Sequence, residues 1–140
     1  MATRKVLVVD DDDEVREITS LALELMAGWD VESVPSGAAA LASLRLRRPD
    51  VVLLDVMMPE MDGPTTFSRM QMDPQLCDIP VVLFTAKVQV GHVQVWDSLP
   101  VAGVIAKPFS ATALPEEIER LLALHASGAA GTHEQNLTAG

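Results

Sequence analysis

One cysteine, three scattered histidines and half as many basic as acidic residues exclude several protein classes before any motif is considered. Cys77 has no partner for an intramolecular disulfide and cannot alone build a cysteine-based zinc site, so a reduced, cytoplasmic setting is expected. His92, His125 and His133 are too dispersed for a metal-binding motif. Ten lysines and arginines against 20 aspartates and glutamates give a formal charge of -10. Nucleic acids and anionic membranes attract basic surfaces, so neither is expected as a partner. A basic protein partner stays open. No apolar run approaches the roughly 18 residues of a membrane span. The four apolar residues after Arg4-Lys5 are also too few for the core of a signal peptide.

What the chain does have is a series of short, β-branched apolar runs alternating with longer amphipathic stretches. Its 140 residues, 49% of them hydrophobic, suffice for one domain with one core. The runs at 6–9, 31–34, 51–54, 79–84 and 101–106 read as strands. After the first, Val15, Ile18, Ala22, Leu25 and Met26 recur at helical spacing behind Glu14 and Glu17, with Gly28 as a stop. Ser36 caps a second, Ala-rich helix carrying Leu41 and Leu44, which ends near Arg47-Arg48 ahead of Pro49. Asp62-Gly63-Pro64 opens a third, bearing Phe67 and Met70. A last helix carries Leu114, Ile118, Leu121 and Leu122, with Ser110 or Thr112 as its cap and Pro115 confined to its first turn. A fourth helix belongs between Lys87 and Leu99. Val88, Val90, Gly91, Val93 and Val95 form helices poorly and Pro100 closes the segment, so it is expected to be short and loosely held. Residues 125–140 are expected to be a disordered tail or linker, since from Ser127 there is little to bury. Trp29 and Trp96 are expected to pack rather than to bind ligand.

Five strands and five helices in alternation imply an α/β fold with a doubly wound parallel sheet. Right-handed crossovers put its site at the carboxyl ends of the strands. Four strand ends carry chemistry-bearing residues there: Asp10-Asp11, Asp55, Thr85 and Lys107. Neighbouring strands lie about 4.8 Å apart, so carboxylates leaving adjacent ends can share one cation. An all-oxygen set suits a hard divalent ion, most simply Mg²⁺. Asp55 is then a natural nucleophile for phosphoryl transfer, Lys107 a point charge for phosphoryl oxygens and Thr85 a hydrogen-bond donor. Singly, each has a plainer reading: Asp12 and Asp13 as a helix cap, Asp55 as a turn residue, Lys107 as a surface lysine. Their joint placement favours the cradle.

The segments 6–11, 53–59, Met61-Asp62-Gly63, Thr85-Ala86 and Lys107-Pro108-Phe109 resemble the receiver domain of two-component response regulators, over roughly residues 4–124. The resemblance implies a CheY-like strand order 2-1-3-4-5. It implies phosphorylation of Asp55 by a sensor histidine kinase or histidine phosphotransfer protein, and signalling by altered protein contacts. Asp11 and Asp55 would bind Mg²⁺ directly, with the Met57 backbone carbonyl as a third protein ligand and Asp10 acting largely through water. Thr85 and Lys107 would contact the phosphoryl group, and Pro108 would follow a cis peptide bond. The chain would act on itself rather than as an enzyme on other substrates. It is expected to be a stand-alone receiver or one cut from a larger regulator or hybrid kinase, either monomeric or a weak, activation-dependent homodimer. Its downstream protein partner would dock on the face made by the fourth helix, fifth strand and fifth helix.

Val104 and Pro100 depart from the family pattern, Pro100 standing where a Gly is common at the end of the fourth helix. Val104 stands where many receivers carry an aromatic residue, three before the lysine. Met57 and Lys87 stand two residues after the aspartate and the threonine, at positions that tune phosphoryl lifetime in the family. The apolar Met57 side chain cannot orient water, which implies slow self-dephosphorylation. An alternative is a haloacid-dehalogenase-type aspartyl phosphatase, since the run 10–14 loosely mimics an Asp-x-Asp strand end. That reading lacks a later acidic pair and leaves Asp55 idle. A receiver-like adaptor that is never phosphorylated is disfavoured because every phosphorylation residue is present.

Overall fold

The computed structural model describes residues 3–86 and 98–127. Strands β1 (Lys5–Val9), β2 (Asp30–Val34), β3 (Val51–Asp55), β4 (Val81–Thr85) and β5 (Gly103–Ala106) form one sheet in the order β2-β1-β3-β4-β5. Every pairing is parallel. Helices α1 (Asp13–Ala27), α2 (Gly37–Leu46), α3 (Gly63–Gln71) and α4 (Leu114–Ala126) are the four among the described residues. The expected helix between Lys87 and Leu99 falls largely on residues 87–97, outside the described part, as do Trp96 and the tail from 128.

Covered on both faces, β3 and β4 are buried throughout, which is why they read as unbroken apolar runs. Alternate residues feed two cores. Leu7, Val9, Val52, Leu54, Val81 and Leu83 pack with Ala40 and Leu44 of α2 and with Phe67 and Met70 of α3. Val6, Val8, Val51, Leu53, Val82 and Phe84 pack with Leu23 of α1 and with Ile118 and Leu122 of α4. Trp29 is buried in this second core, as its packing role requires.

Three helix starts follow their cap residues. Asp12 accepts from the Glu14 and Val15 amides, Ser36 from Ala39 and Asp62 from Thr65. Gly28 ends α1 in the left-handed region, at φ 69°. The fourth start differs from expectation. Helix α4 begins after Ala113 with no side-chain cap, because the Ser110 and Ala111 carbonyls accept from the Ala113 and Leu114 amides. The two hydroxyls expected to cap it lie against each other instead, 3.1 Å apart. Strand β4 starts at Val81 rather than at 79, since Pro80 has no amide to donate. Strand β5 starts at Gly103, two residues later than expected.

Gly63 fixes the approach of α3 to the end of β3. A Cβ there would lie 2.4 Å from the Asp55 carbonyl oxygen and 2.9 Å from Val56 Cα, both backbone. The Gly63 amide donates to the Val56 carbonyl at 2.9 Å, closing the loop that follows Asp55. Gly63→Ala should therefore cost about 2 kcal/mol through overpacking. Gly28→Ala, at an open left-handed position, should cost about 1 kcal/mol. Urea denaturation of the two variants checks the order, and a smaller loss at Gly63 would contradict the close approach.

Candidate functional site

The four expected positions converge at the carboxyl edge of the sheet. Asp10 directly follows β1, and its amide prolongs the ladder by donating to the Val34 carbonyl at 3.2 Å. Asp55 is the last residue of β3, opposite Phe84. Thr85 ends β4 opposite Ala106, and the Lys107 amide donates to the Thr85 carbonyl at 2.7 Å. The Lys107-Pro108 peptide is cis, as the motif implied. Behind it, the Phe109 ring packs on Phe84 with centroids 5.3 Å apart.

Asp10, Asp55 and Thr85 are almost wholly buried, at 3%, 6% and 2% exposure. Buried carboxylates need partners, and Lys107 serves two. Its Nζ donates to Asp10 Oδ2 at 2.9 Å and to Asp55 Oδ1 at 3.2 Å. Asp10 Oδ1 accepts from the Asp12 amide at 2.9 Å. Asp11 is exposed, yet carboxylate oxygens of Asp10, Asp11 and Asp55 all lie within 4.8 Å of one another. The Met57 backbone amide favours the charged Asp55 carboxylate, and Met57 is itself 72% exposed. Val104 is half-buried beside the first core.

Burial, and then the charge of Asp10, push the Asp55 carboxyl up to about 6, against the opposing pull of Lys107 and the Met57 amide. Burial alone would lower the Lys107 ammonium, but its hydrogen bond to Asp10 and the charges of Asp55 and Asp10 together raise it. The ammonium therefore stays charged and acts as the internal counter-ion of the carboxylate pair.

Sequence reasoning passed over Arg16. Its Nη1 donates to the Asp10 carbonyl at 2.7 Å and its Nη2 pairs with Asp13 Oδ1 at 2.5 Å. A signal was available: a cation in the opening turns of a helix stands against the helix dipole, so it needs a local partner.

A doubly wound sheet with an acidic, lysine-bridged pocket at its strand ends defines a class of α/β domain suited to phosphoryl chemistry. The chain belongs to the response regulator receiver domain family, whose model matches residues 6–119. It is 34% identical over 119 residues to the DNA-binding dual master transcriptional regulator RpaA of Synechocystis, covering 84% of this chain and 48% of RpaA. It is 36% identical over 125 residues to the transcriptional regulatory protein CseB of Streptomyces avermitilis, covering 88% of this chain and 52% of CseB. Among solved structures, the chemotaxis protein CheY4 of Vibrio cholerae superposes with a TM-score of 0.78 at 32% identity, covering 86% of this chain and 99% of CheY4.

The chain spans about half the length of the curated relatives it matches. Membership makes it a receiver, a phosphorylation-activated signalling switch, and sets aside the phosphatase alternative. The expected absence of a nucleic-acid partner gains no support, because RpaA is itself named as DNA-binding. Among the described residues, no helix is long and apolar enough to cross a membrane.

The Asp55 shift carries a pH signature. Its folded value of about 6 lies above its ordinary 3.8, so between these values the folded state holds the extra proton. The associated stability is full below the unfolded value and is lost as pH rises through about 6. In metal-free buffer the stability advantage of Asp55→Asn over the parent should thus grow between about pH 4 and about pH 7.5, by roughly 1–3 kcal/mol. Urea melts across that range test it, and a constant difference would contradict the buried, like-charged environment.

Proposed function

We propose that Asp55 is the phosphoacceptor, fed by a phosphohistidine on a sensor histidine kinase or histidine phosphotransfer protein. One observation carries this reading: a buried carboxylate at a strand end, 3.2 Å from a lysine ammonium and within 4.8 Å of two further carboxylates. Asp10, Asp11 and Asp55 form an all-oxygen, like-charged set that fits Mg²⁺, with the Met57 carbonyl as a further ligand. The ion would supply neutralisation of the charge that builds up during phosphoryl transfer. An Asp55 carboxylate oxygen attacks phosphorus, the P–N bond to imidazole breaks, and the bonding pair stays on the ring nitrogen. The product is an acyl phosphate. Lys107, already beside Asp55, neutralises its phosphoryl oxygens, and the Thr85 hydroxyl donates to one of them. Water later attacks phosphorus, returning the carboxylate and inorganic phosphate. The chemistry stays confined to the domain's own side chain.

Met57 sets the pace of that return. Its exposed thioether gives the attacking water no strong hydrogen-bonding group, so the phosphorylated state is long-lived. With Val104 in place of an aromatic, the signal leaves through the face that includes β5 and α4, where a protein target docks.

Acetyl phosphate with Mg²⁺ should add one phosphoryl group to the parent and none to Asp55→Asn, read by intact-mass spectrometry. After the donor is removed, the mass gain should persist for minutes or longer. A gain retained in Asp55→Asn would displace Asp55 as the acceptor, and turnover within a minute would remove the role given to Met57.

A further inference from the structure

Asp10 has every polar handle taken. Its amide donates to the Val34 carbonyl, its Oδ1 accepts from the Asp12 amide, and its Oδ2 accepts from Lys107. Its carbonyl accepts from Arg16 Nη1 at 2.7 Å. This last bond has a particular place in the fold. Strand β1 ends at Val9, and the Asp10 carbonyl lies where the chain turns away from the sheet towards α1. In a residue that is 3% exposed, a carbonyl left without a donor is costly. Arg16 supplies the donor, and its side chain is itself largely buried, at 18% exposure. Its second nitrogen is anchored on Asp13, so the guanidinium spans the whole acidic turn.

The Asp10-Asp11 peptide links two of the three carboxylates in the cation cluster, so its orientation governs both. We propose that Arg16 is a positioning residue for the metal site, clamping this peptide so that the Asp10 and Asp11 carboxylates face Asp55. The inference rests on the receiver reading and extends it to a residue outside the pocket. Charge and positioning make opposite demands here. Arg16 is a cation close to an acidic site, so its charge alone repels Mg²⁺, and deleting it on that account would tighten binding. Deleting a clamp loosens binding.

Isothermal titration of Mg²⁺ into the 140-residue protein separates the two, with circular dichroism to establish that each variant is folded. Arg16→Met should weaken Mg²⁺ binding by about tenfold, as loss of a supporting partner of a metal ligand does. Arg16→Lys, which keeps a donor, should stay within about threefold of the parent. Asp13→Asn, which removes only an exposed pairing, should change it by less than about twofold. At saturating Mg²⁺ the phosphorylation rate of Arg16→Met with acetyl phosphate should return to the parent's. If Arg16→Met does not fold, Arg16→Ala carries the same expectation. Unchanged or tighter Mg²⁺ binding overturns the inference and leaves the switch reading intact, as does an equal loss in Arg16→Lys. A parent that neither binds Mg²⁺ nor gains a phosphoryl group overturns the switch reading itself.

Discussion

The Lys107 ammonium lies between two buried carboxylates, and the architecture around it holds that three-way contact in place. Asp10 and Asp55 stand at the ends of adjacent strands and are both nearly inaccessible, so their mutual repulsion is poorly screened. A lysine 97 residues from one partner and 52 from the other offsets it. That contact depends on register. Lys107 reaches the pair because β5 lies beside β4 with Ala106 opposite Thr85, and β4 lies beside β3 with Phe84 opposite Asp55. A slip of one residue would turn every side chain to the opposite face and break the bridge along with both cores.

The same contact explains how the domain can be both stable and switchable. Burial, and then the charge of Asp10, outweigh the pull of the lysine and keep the Asp55 carboxyl raised. A divalent cation or a phosphoryl group at this edge would change the local charge by more than one unit and redistribute the contacts of the lysine. The scaffold far from this edge is tied by other means. Arg4 pairs with Glu119 between the start of β1 and α4, and Arg48 joins the 47–50 loop to the Gln75 carbonyl and Asp78. Charge changes at the carboxyl edge therefore act on a sheet whose opposite edge is independently fastened.

Much of this was legible in the residues. A parallel sheet covered on both faces requires continuous apolar strands, so the runs at 51–54 and 79–84 announced β3 and β4, and the polar residues ending them marked the site. Asp12, Ser36, Asp62 and Gly28 act as local rules require, because caps depend on near neighbours. The start of α4 did not follow those rules. There, backbone carbonyls at 110 and 111 outcompeted the hydroxyls of Ser110 and Thr112, which lie against each other instead. The double pairing of Lys107 and the reach of Arg16 to the Asp10 carbonyl were also missed. The first is set by tertiary geometry, across 97 and 52 residues, whereas the second lies within six residues and was open to a reading of the helix dipole.

The central claim is that the Asp55 carboxylate, with its acidic neighbours and Lys107, forms one site for a cation and a phosphoryl group. Beryllofluoride mimics that group by binding a carboxylate oxygen, so fluorine resonance of the protein treated with beryllofluoride and Mg²⁺ tests the claim most directly. The account predicts protein-bound fluoride signals that require Mg²⁺ and vanish in Asp55→Asn. Bound signals that persist in Asp55→Asn, or a parent that shows none, would contradict it.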